Sequence, residues 1–599
     1  MCSRPCAPAR KRCGCSLVDF LASDGGVCPR VCALLGVLAI SSAVLPLSTS
    51  APTTMTNSAR SWTPSSWKAR KVTQDVIYPV DQHAPVASSS ANGLATEGLP
   101  ANERLHTVKA KLCALPPLVT AQEIERLRQQ LADVANSKAF LLQAGHCAES
   151  FEMCTQEQVE SQLSLILLMS LVLIWGARMP VVRIMRGAGQ YAKPRSKPTE
   201  VHDGKEILTF RGDNVNGFDP DDRTPDPDRL LQAYFHSATT LNFVRAVLSS
   251  GFADLHHPRS WSMAHVRSPE LARSFESVIE RLEDSLDFIR VIGGDASDAP
   301  ADTSKMSALN SVDMWTSHEG LLLHYEEALT RSLKIPRPSG KQQATMEAPP
   351  PIKSDGQPKT PSAESIEAQA HIEASGRAYY NVSAHFIWIG DRTRQLDGAH
   401  VEYFRGIRNP IGIKVGPSMQ ADELVRLLDI VDPDKEPGRV TLICRYGADK
   451  INMYLAEHIH AVRKSLHPVI FACDPMHGNT KTSESSGSLK TRHMADIVKE
   501  LSASIRIHAS LGSRLQGVHL ELTGEVNSDG FSVTECVGGS MELSDADLSL
   551  NYQSFCDPRL NYEQSLDVAF LISDYFRSER KGRKTEDKIL ENLSRSSSR

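Results

Sequence analysis

The chain has 599 residues, 41% hydrophobic and 23% charged, a composition that excludes a fibrous or mainly disordered polymer. Its 66 Lys and Arg stand against 71 Asp and Glu, giving a net charge of −5. That balance excludes a globally basic nucleic-acid binder, so an anion site has to be a local concentration of cations.

Residues 1–30 are basic and carry Cys2, Cys6, Cys13, Cys15 and Cys28, with Cys32 just beyond. The apolar run Val31 to Leu47 follows, broken by Ser41 and Ser42. It falls short of the roughly 20 apolar residues of a bilayer span. Residues 1–54 read either as a leader (signal peptide, anchor or transit peptide) or as a dispensable extension ahead of a start at Met55. The remaining cysteines are scattered without the spacing of a disulfide framework, as expected for thiols in a reducing compartment. The location expected is the cytoplasm or, where the leader acts as a transit peptide, a plastid-like organelle, with the cytoplasm preferred. A secreted or membrane-anchored binding protein would instead use this run, the Arg211-Gly-Asp213 tripeptide and the Asn381-Val-Ser383 glycosylation pattern.

The run Leu163 to Trp175 is too short for a membrane span and predicts a buried helix or strand. Residues 332–377 are rich in Pro and polar residues and read as a flexible insertion; 578–599 form a basic tail. Between and beyond them, Val- and Ile-rich strands alternate with helical periodicity. Strands are predicted at Ala384–Ile389, Ile411–Val415, Val440–Cys444, Val469–Ala472 and Val518–Leu522. Helices are predicted at Ala421–Ile430, Ile451–Ser465, His493–Leu511 and Ser565–Phe576. This β-then-α order predicts a parallel sheet, and a (β/α)8 barrel over residues 55–577 is preferred to an open sheet, because no Gly-x-Gly-x-x-Gly turn or P-loop follows a strand.

Polar motifs sit at the strand ends. Trp388-Ile-Gly-Asp-Arg-Thr-Arg follows one strand and brings Asp391, Arg392 and Arg394 into a loop. Lys414 lies inside Ile-Gly-Ile-Lys-Val, Arg445 follows Leu-Ile-Cys, and Lys193 and Arg195 lie in Gln-Tyr-Ala-Lys-Pro-Arg. A cation inside a Val/Ile strand is costly unless it meets an anion. Converging cations therefore suit a substrate bearing phosphate and carboxylate. A second set has metal-ligand chemistry: Cys147, His477, His519, Glu521 and Asp557. A mixed S, N and O set suits a first-row divalent ion, although no pair shows zinc-finger spacing.

At these motifs the chain resembles the class II, plant and microbial type, 3-deoxy-D-arabino-heptulosonate 7-phosphate synthases. The resemblance rests on Cys147-Ala-Glu-Ser-Phe, Gly189-Gln-Tyr-Ala-Lys-Pro-Arg-Ser, Arg211-Gly-Asp-Asn-Val-Asn-Gly, Thr316-Ser-His-Glu-Gly and Trp388-Ile-Gly-Asp-Arg-Thr-Arg-Gln. It continues through Asn409-Pro-Ile-Gly-Ile-Lys-Val-Gly-Pro, Asp474-Pro-Met-His-Gly-Asn-Thr, Lys490-Thr-Arg and Cys556-Asp-Pro-Arg-Leu-Asn. It implies a (β/α)8 barrel with added N-terminal helices and condensation of phosphoenolpyruvate with erythrose 4-phosphate. It further implies a divalent metal such as Mn or Co, held by Cys147, His477, Glu521 and Asp557. Phosphoenolpyruvate would meet Arg195, Arg392, Lys414, Arg445 and the backbone around Asp391, with Lys193 and Lys490 near the substrate phosphates. Lys414 and Arg392 would be catalytic. An aromatic feedback ligand and a homo-oligomer are also implied, and nucleic acid is not. His146 stands where the family has Asp, and the connection after Glu521 is longer than usual.

Overall fold

The computed structural model describes residues 62–78, 101–250, 268–291, 312–336, 376–485, 487, 489–527 and 530–581. The expected leader, residues 337–375 of the expected insertion and the tail from residue 582 lie outside the described residues.

Eight parallel strands close a barrel: β1 Phe140–Gly145, β2 Val181–Arg186, β3 Trp315–Glu319, β4 Phe386–Ile389, β5 Ile411–Val415, β6 Val440–Cys444, β7 Ile470–Cys473 and β8 Gly517–Glu521. Each pairs with its neighbours in sequence, and β1 closes on β8 with Leu141 beside Gly517 and Gly145 beside Glu521. The expected (β/α)8 architecture is thus what the chain forms. Both faces of these strands are covered, which is why they read as continuous apolar runs rather than alternating ones. All five residues of β5, β6 and β8 are buried.

The lower barrel interior is packed by Leu141, Ile184, Trp315, Phe386, Trp388, Ile443 and Ile470. Helix α2 (Ala121–Ala135), following α1 (Ala101–Ala114), joins this cluster through Leu127, Leu131 and Val134. Its start is fixed by a capping box in which the Thr120 hydroxyl accepts from Glu123 N and Glu123 reaches back to Thr120 N at 2.8 Å.

The run Leu163 to Trp175 belongs to a longer helix, α3, spanning Gln156–Ala177. Its 22 residues meet the length and composition of a membrane span, correcting the shorter reading, but most of its apolar stretch is buried within the fold. The reason is packing from two sides. Phe140 and Val181 of the barrel and Leu566, Val568 and Ile572 of the last helix share one apolar cluster with α3. A helix covered on both flanks has no polar stripe to keep.

Between β2 and β3 lie α4 (Asp228–Ser249) and α5 (Pro269–Val291). Then come α6 (Leu323–Ala328), α7 (Ala399–Phe404), α8 (Ala421–Val431), α9 (Ile451–Ser465), α10 (Met494–Ser510) and α11 (Tyr562–Arg580). In α8 the buried residues Leu424, Leu427, Leu428 and Val431 follow the three-and-four spacing of one helical face. The segment read as an insertion starts and ends inside an antiparallel ribbon, Thr330–Lys334 with Arg377–Asn381, in which Lys334 pairs with Arg377. Asn381 is fully buried, with its amide donating to Glu326 and Tyr403, so it is no glycosylation acceptor; Asp213 is likewise buried and accepts from Phe151 N.

Candidate active site at the C-terminal mouth of the barrel

The upper layer of the barrel interior is polar. Gln143 of β1 donates to Ser317 Oγ of β3 at 3.0 Å and faces His519 Nδ1 of β8 at 2.9 Å. His519 Nε2 faces Lys414 Nζ of β5 at 2.9 Å and the guanidinium of Arg186 at the end of β2. Both nitrogens of His519 are thus taken up inside the barrel. Burial, with Lys414 and Arg186 beside it, holds its pKa well below the usual histidine value. It braces Lys414 and Arg186 in this upper layer and lies within reach of Asp474 and His477.

Lys414 is buried and paired with Asp474. Burial pulls its pKa down to about 8, against the opposing pull of Asp474. Burial opposes ionisation of Asp474 itself, but His477 and Lys414 outweigh it and hold the carboxylate well below the usual range. Asp474 also fixes the next ligand candidate, because His477 Nδ1 lies 2.8 Å from Asp474 Oδ2. That bond directs His477 Nε2 toward Glu521 Oε1, 3.0 Å away. Glu521 is fully buried between Arg186 at 2.8 Å and Arg492 at 2.8 Å. Despite burial, His477, Arg492 and Arg186 keep it ionised.

The second pair lies on the loops after β1 and β8. Gly145 (φ +145) ends β1 where a Cβ would meet Arg186 O at 2.5 Å, so only glycine lets the chain pass into Cys147. Cys147 Sγ lies 2.9 Å from Cys556 Sγ and 3.9 Å from Asp557 Oδ2. Lys193 Nζ sits among them, 3.0 Å from Cys147 Sγ and 2.7 Å from Asp557, and also bonds Cys556. Burial opposes the Lys193 charge, but Cys147, Cys556 and Asp557 together raise its pKa well above normal. Lys490 holds the other Asp557 oxygen at 2.8 Å. The loop carrying Lys193 is anchored by Glu149, which accepts from the backbone of Ala188 and Gly189 at 2.8 Å and of Gln190.

The anion contacts expected from the motifs fall around these pairs. Arg445 donates to Asp391 Oδ2 at 2.9 Å and to His477 O at 2.8 Å, tying the β4 and β6 loops to the His477 loop. Arg392 reaches Ser196 Oγ at 3.0 Å, beside the Lys193 loop. Arg195 is held by Glu200 at 3.0 Å. Glu319, at the end of β3, was not singled out in the sequence; its carboxyl is buried near Lys414, His477, Arg392 and Arg186, and burial pushes its pKa up. Arg186, Asp474 and Cys556 were also passed over as site members. Arg186 carried the same signal as Lys414, a cation in an apolar strand, and Cys556 adjoins Asp557.

The donors fit a divalent metal on geometry. Two sulfurs and a carboxylate converge on a cation, the Lys193 ammonium, and His477 Nε2 opposes a carboxylate oxygen at 3.0 Å. Cys147, Cys556 and Asp557 form one group able to hold an ion, and Asp474, His477 and His519 form another. The four residues expected as ligands thus stand as two close pairs, Cys147 with Asp557 and His477 with Glu521.

Known proteins resemble this chain over most of its length. The sequence profile described as the class-II DAHP synthetase family matches residues 62–573. A phospho-2-dehydro-3-deoxyheptonate aldolase of Neurospora crassa is 46% identical over 533 residues, covering 89% of this chain and 98% of the relative. The enzyme of that name from Streptomyces coelicolor is 41% identical over 80% of this chain and 94% of its own. The aldolase AroG of Mycolicibacterium smegmatis is 39% identical over 78% of this chain and 90% of its own. The match spans the barrel, both pairs of ligand candidates and the cations around them, and the chain belongs to the class-II DAHP synthetase family.

Proposed function

We propose that the chain condenses phosphoenolpyruvate with D-erythrose 4-phosphate and water, giving 3-deoxy-D-arabino-heptulosonate 7-phosphate and inorganic phosphate, the entry step of the shikimate route to the aromatic amino acids. One observation carries the reading: the cations Lys193, Arg392, Lys414, Arg445 and Lys490 stand at one barrel mouth beside the Cys147/Asp557 and His477/Glu521 pairs. Two multiply charged anions must approach each other, and fixed cations in a low-dielectric site offset their repulsion and hold them in reacting geometry.

Arg392 and Arg445 are suited to the phosphate of phosphoenolpyruvate, because a guanidinium fork grips two oxygens. Lys414 is buried, with a pKa of about 8, and remains charged at neutral pH to offset charge at the reacting carbons. Lys193 and Lys490 are suited to the phosphates of the two substrates. In the reaction C3 of phosphoenolpyruvate bonds to the aldehyde carbon, whose oxygen takes a proton. Water adds at C2, and phosphate departs with its bridging oxygen as C2 becomes a carbonyl. Glu319, a buried carboxyl with a raised pKa among the cations, is placed to hold a proton during these transfers. Cys147, His477, Glu521 and Asp557 would hold a first-row divalent ion, Mn or Co as the family resemblance implies, and the bound ion would polarise the aldehyde oxygen.

Phosphate release measured with both substrates across a divalent metal series tests this. Release that needs both substrates and a metal supports it; release from phosphoenolpyruvate alone at the same rate counts against it.

A further inference from the structure

A second cluster of cations lies at the opposite end of the barrel. α3 ends at Ala177, just ahead of β2, and α11 ends at Arg580. There Trp175, Arg178, Arg281, Arg577, Arg580 and Lys581 line a pocket of about 340 Å³, with no carboxylate in the lining. Arg178 caps α3 in the left-handed region, with φ 56, where glycine or asparagine is usual. Its guanidinium lies 3.9 Å from the ring centroid of Trp175, which fixes the plane of its fork. Arg580 is fixed as well, donating to Gly176 O at 2.7 Å.

Among the described residues, two carboxylates flank Arg577 and Arg580 on their own helix. Asp574 approaches Arg577 at 3.4 Å, and Glu579 is engaged by Arg514 at 2.9 Å. The two helix C-termini together contribute roughly one negative charge. Arg178 and Arg580 remain close enough to repel: burial and then Arg580 hold the Arg178 pKa below its ordinary value. Oriented guanidinium forks beside an indole wall favour a compact oxyanion over water.

We propose that this pocket binds a small phosphate-bearing anion carrying two or more negative charges. It is separate from the catalytic mouth, since the length of β2, Val181 to Arg186, lies between them, roughly 16 Å of strand.

Calorimetric titration of the full chain with inorganic pyrophosphate tests the proposal, because turnover plays no part in the readout. The mouth cations also attract this probe, so Arg445→Ala serves to report that site. Binding is expected to persist in Arg445→Ala and to weaken about tenfold or more in Arg178→Ala/Arg577→Ala. Arg577→Glu alone, at an exposed position, should reproduce the loss with an unchanged melting temperature. An isotherm unaltered in both pocket variants overturns the proposal, as does binding abolished by Arg445→Ala alone.

Discussion

Arg445 joins three loops through Asp391 and His477 O while keeping its guanidinium at the mouth. Replacing it with alanine removes a fork aimed at phosphate and loosens the His477 loop. Turnover over KM for phosphoenolpyruvate should fall roughly a hundredfold, on the scale of losing one charge-assisted transition-state contact; steady-state kinetics check this. Cys147→Ser exchanges a soft thiolate donor for a hydroxyl. It should weaken divalent metal binding by at least about tenfold, read by metal titration of chelator-treated protein, with the melting temperature of the metal-free form little changed. Glu500 offers a pH test. It is buried and accepts from Tyr446 N and Gly447 N at 2.9 Å and from Asn479 at 2.7 Å. Burial pushes its pKa from 4.5 up to about 7. The folded state therefore binds this proton more tightly than the unfolded state. Its stabilising effect is full below about pH 4.5 and is lost as pH rises to about 7, with a span of roughly 3 kcal/mol. Glu500→Gln should flatten the melting-temperature profile across that window, at a cost of about 1 kcal/mol for the disturbed Asn479 bond.

At the scale of elements, the strands β4 to β8 were legible because Val and Ile runs mark strands buried on both faces. β1 to β3 were harder. Phe140–Gly145 ends in Gln-Ala-Gly, Val181–Arg186 carries two arginines, and Trp315–Glu319 is Trp-Thr-Ser-His-Glu. Gln143, Arg186 and Ser317 face the upper barrel layer, while Arg183 bonds Ser170 of α3 and His318 bonds Glu326 of α6, so polar residues on both faces hide their strand character. Site residues followed the same rule. Lys414 stood out against an apolar strand, whereas Glu319 lay in a segment with no apolar contrast. The length of α3 was missed because Gln156 to Gln162 looks polar, yet Gln162 is buried. That helix meets α11 so closely that a Cβ on Gly176 would lie 2.1 Å from Ser573 Oγ and 2.4 Å from its Cα. Gly176→Val should lower stability by about 1–3 kcal/mol through overpacking, measurable by denaturant unfolding, whereas Ser573→Ala should be mild.

Across the whole molecule, the fold places its chemistry on one end of the barrel and closes the other with α2. The ribbon Thr330–Lys334 with Arg377–Asn381 brings residues 335 and 376 together, with Ile335 N donating to Gly376 O at 3.0 Å. Because the ends of the 337–375 segment are already paired, its replacement by a short Asn-Gly turn should preserve folding and turnover to within about twofold; circular dichroism and kinetics check this. The central claim is that the mouth joins phosphoenolpyruvate to erythrose 4-phosphate with the help of a divalent ion at Cys147, His477, Glu521 and Asp557. The most direct measurement is phosphate release and seven-carbon product formation by the full chain, before and after chelation and on re-addition of Mn or Co. The account predicts stoichiometric product and phosphate, lost on chelation and restored by metal. Full activity in chelator, or phosphate release without erythrose 4-phosphate, would contradict it.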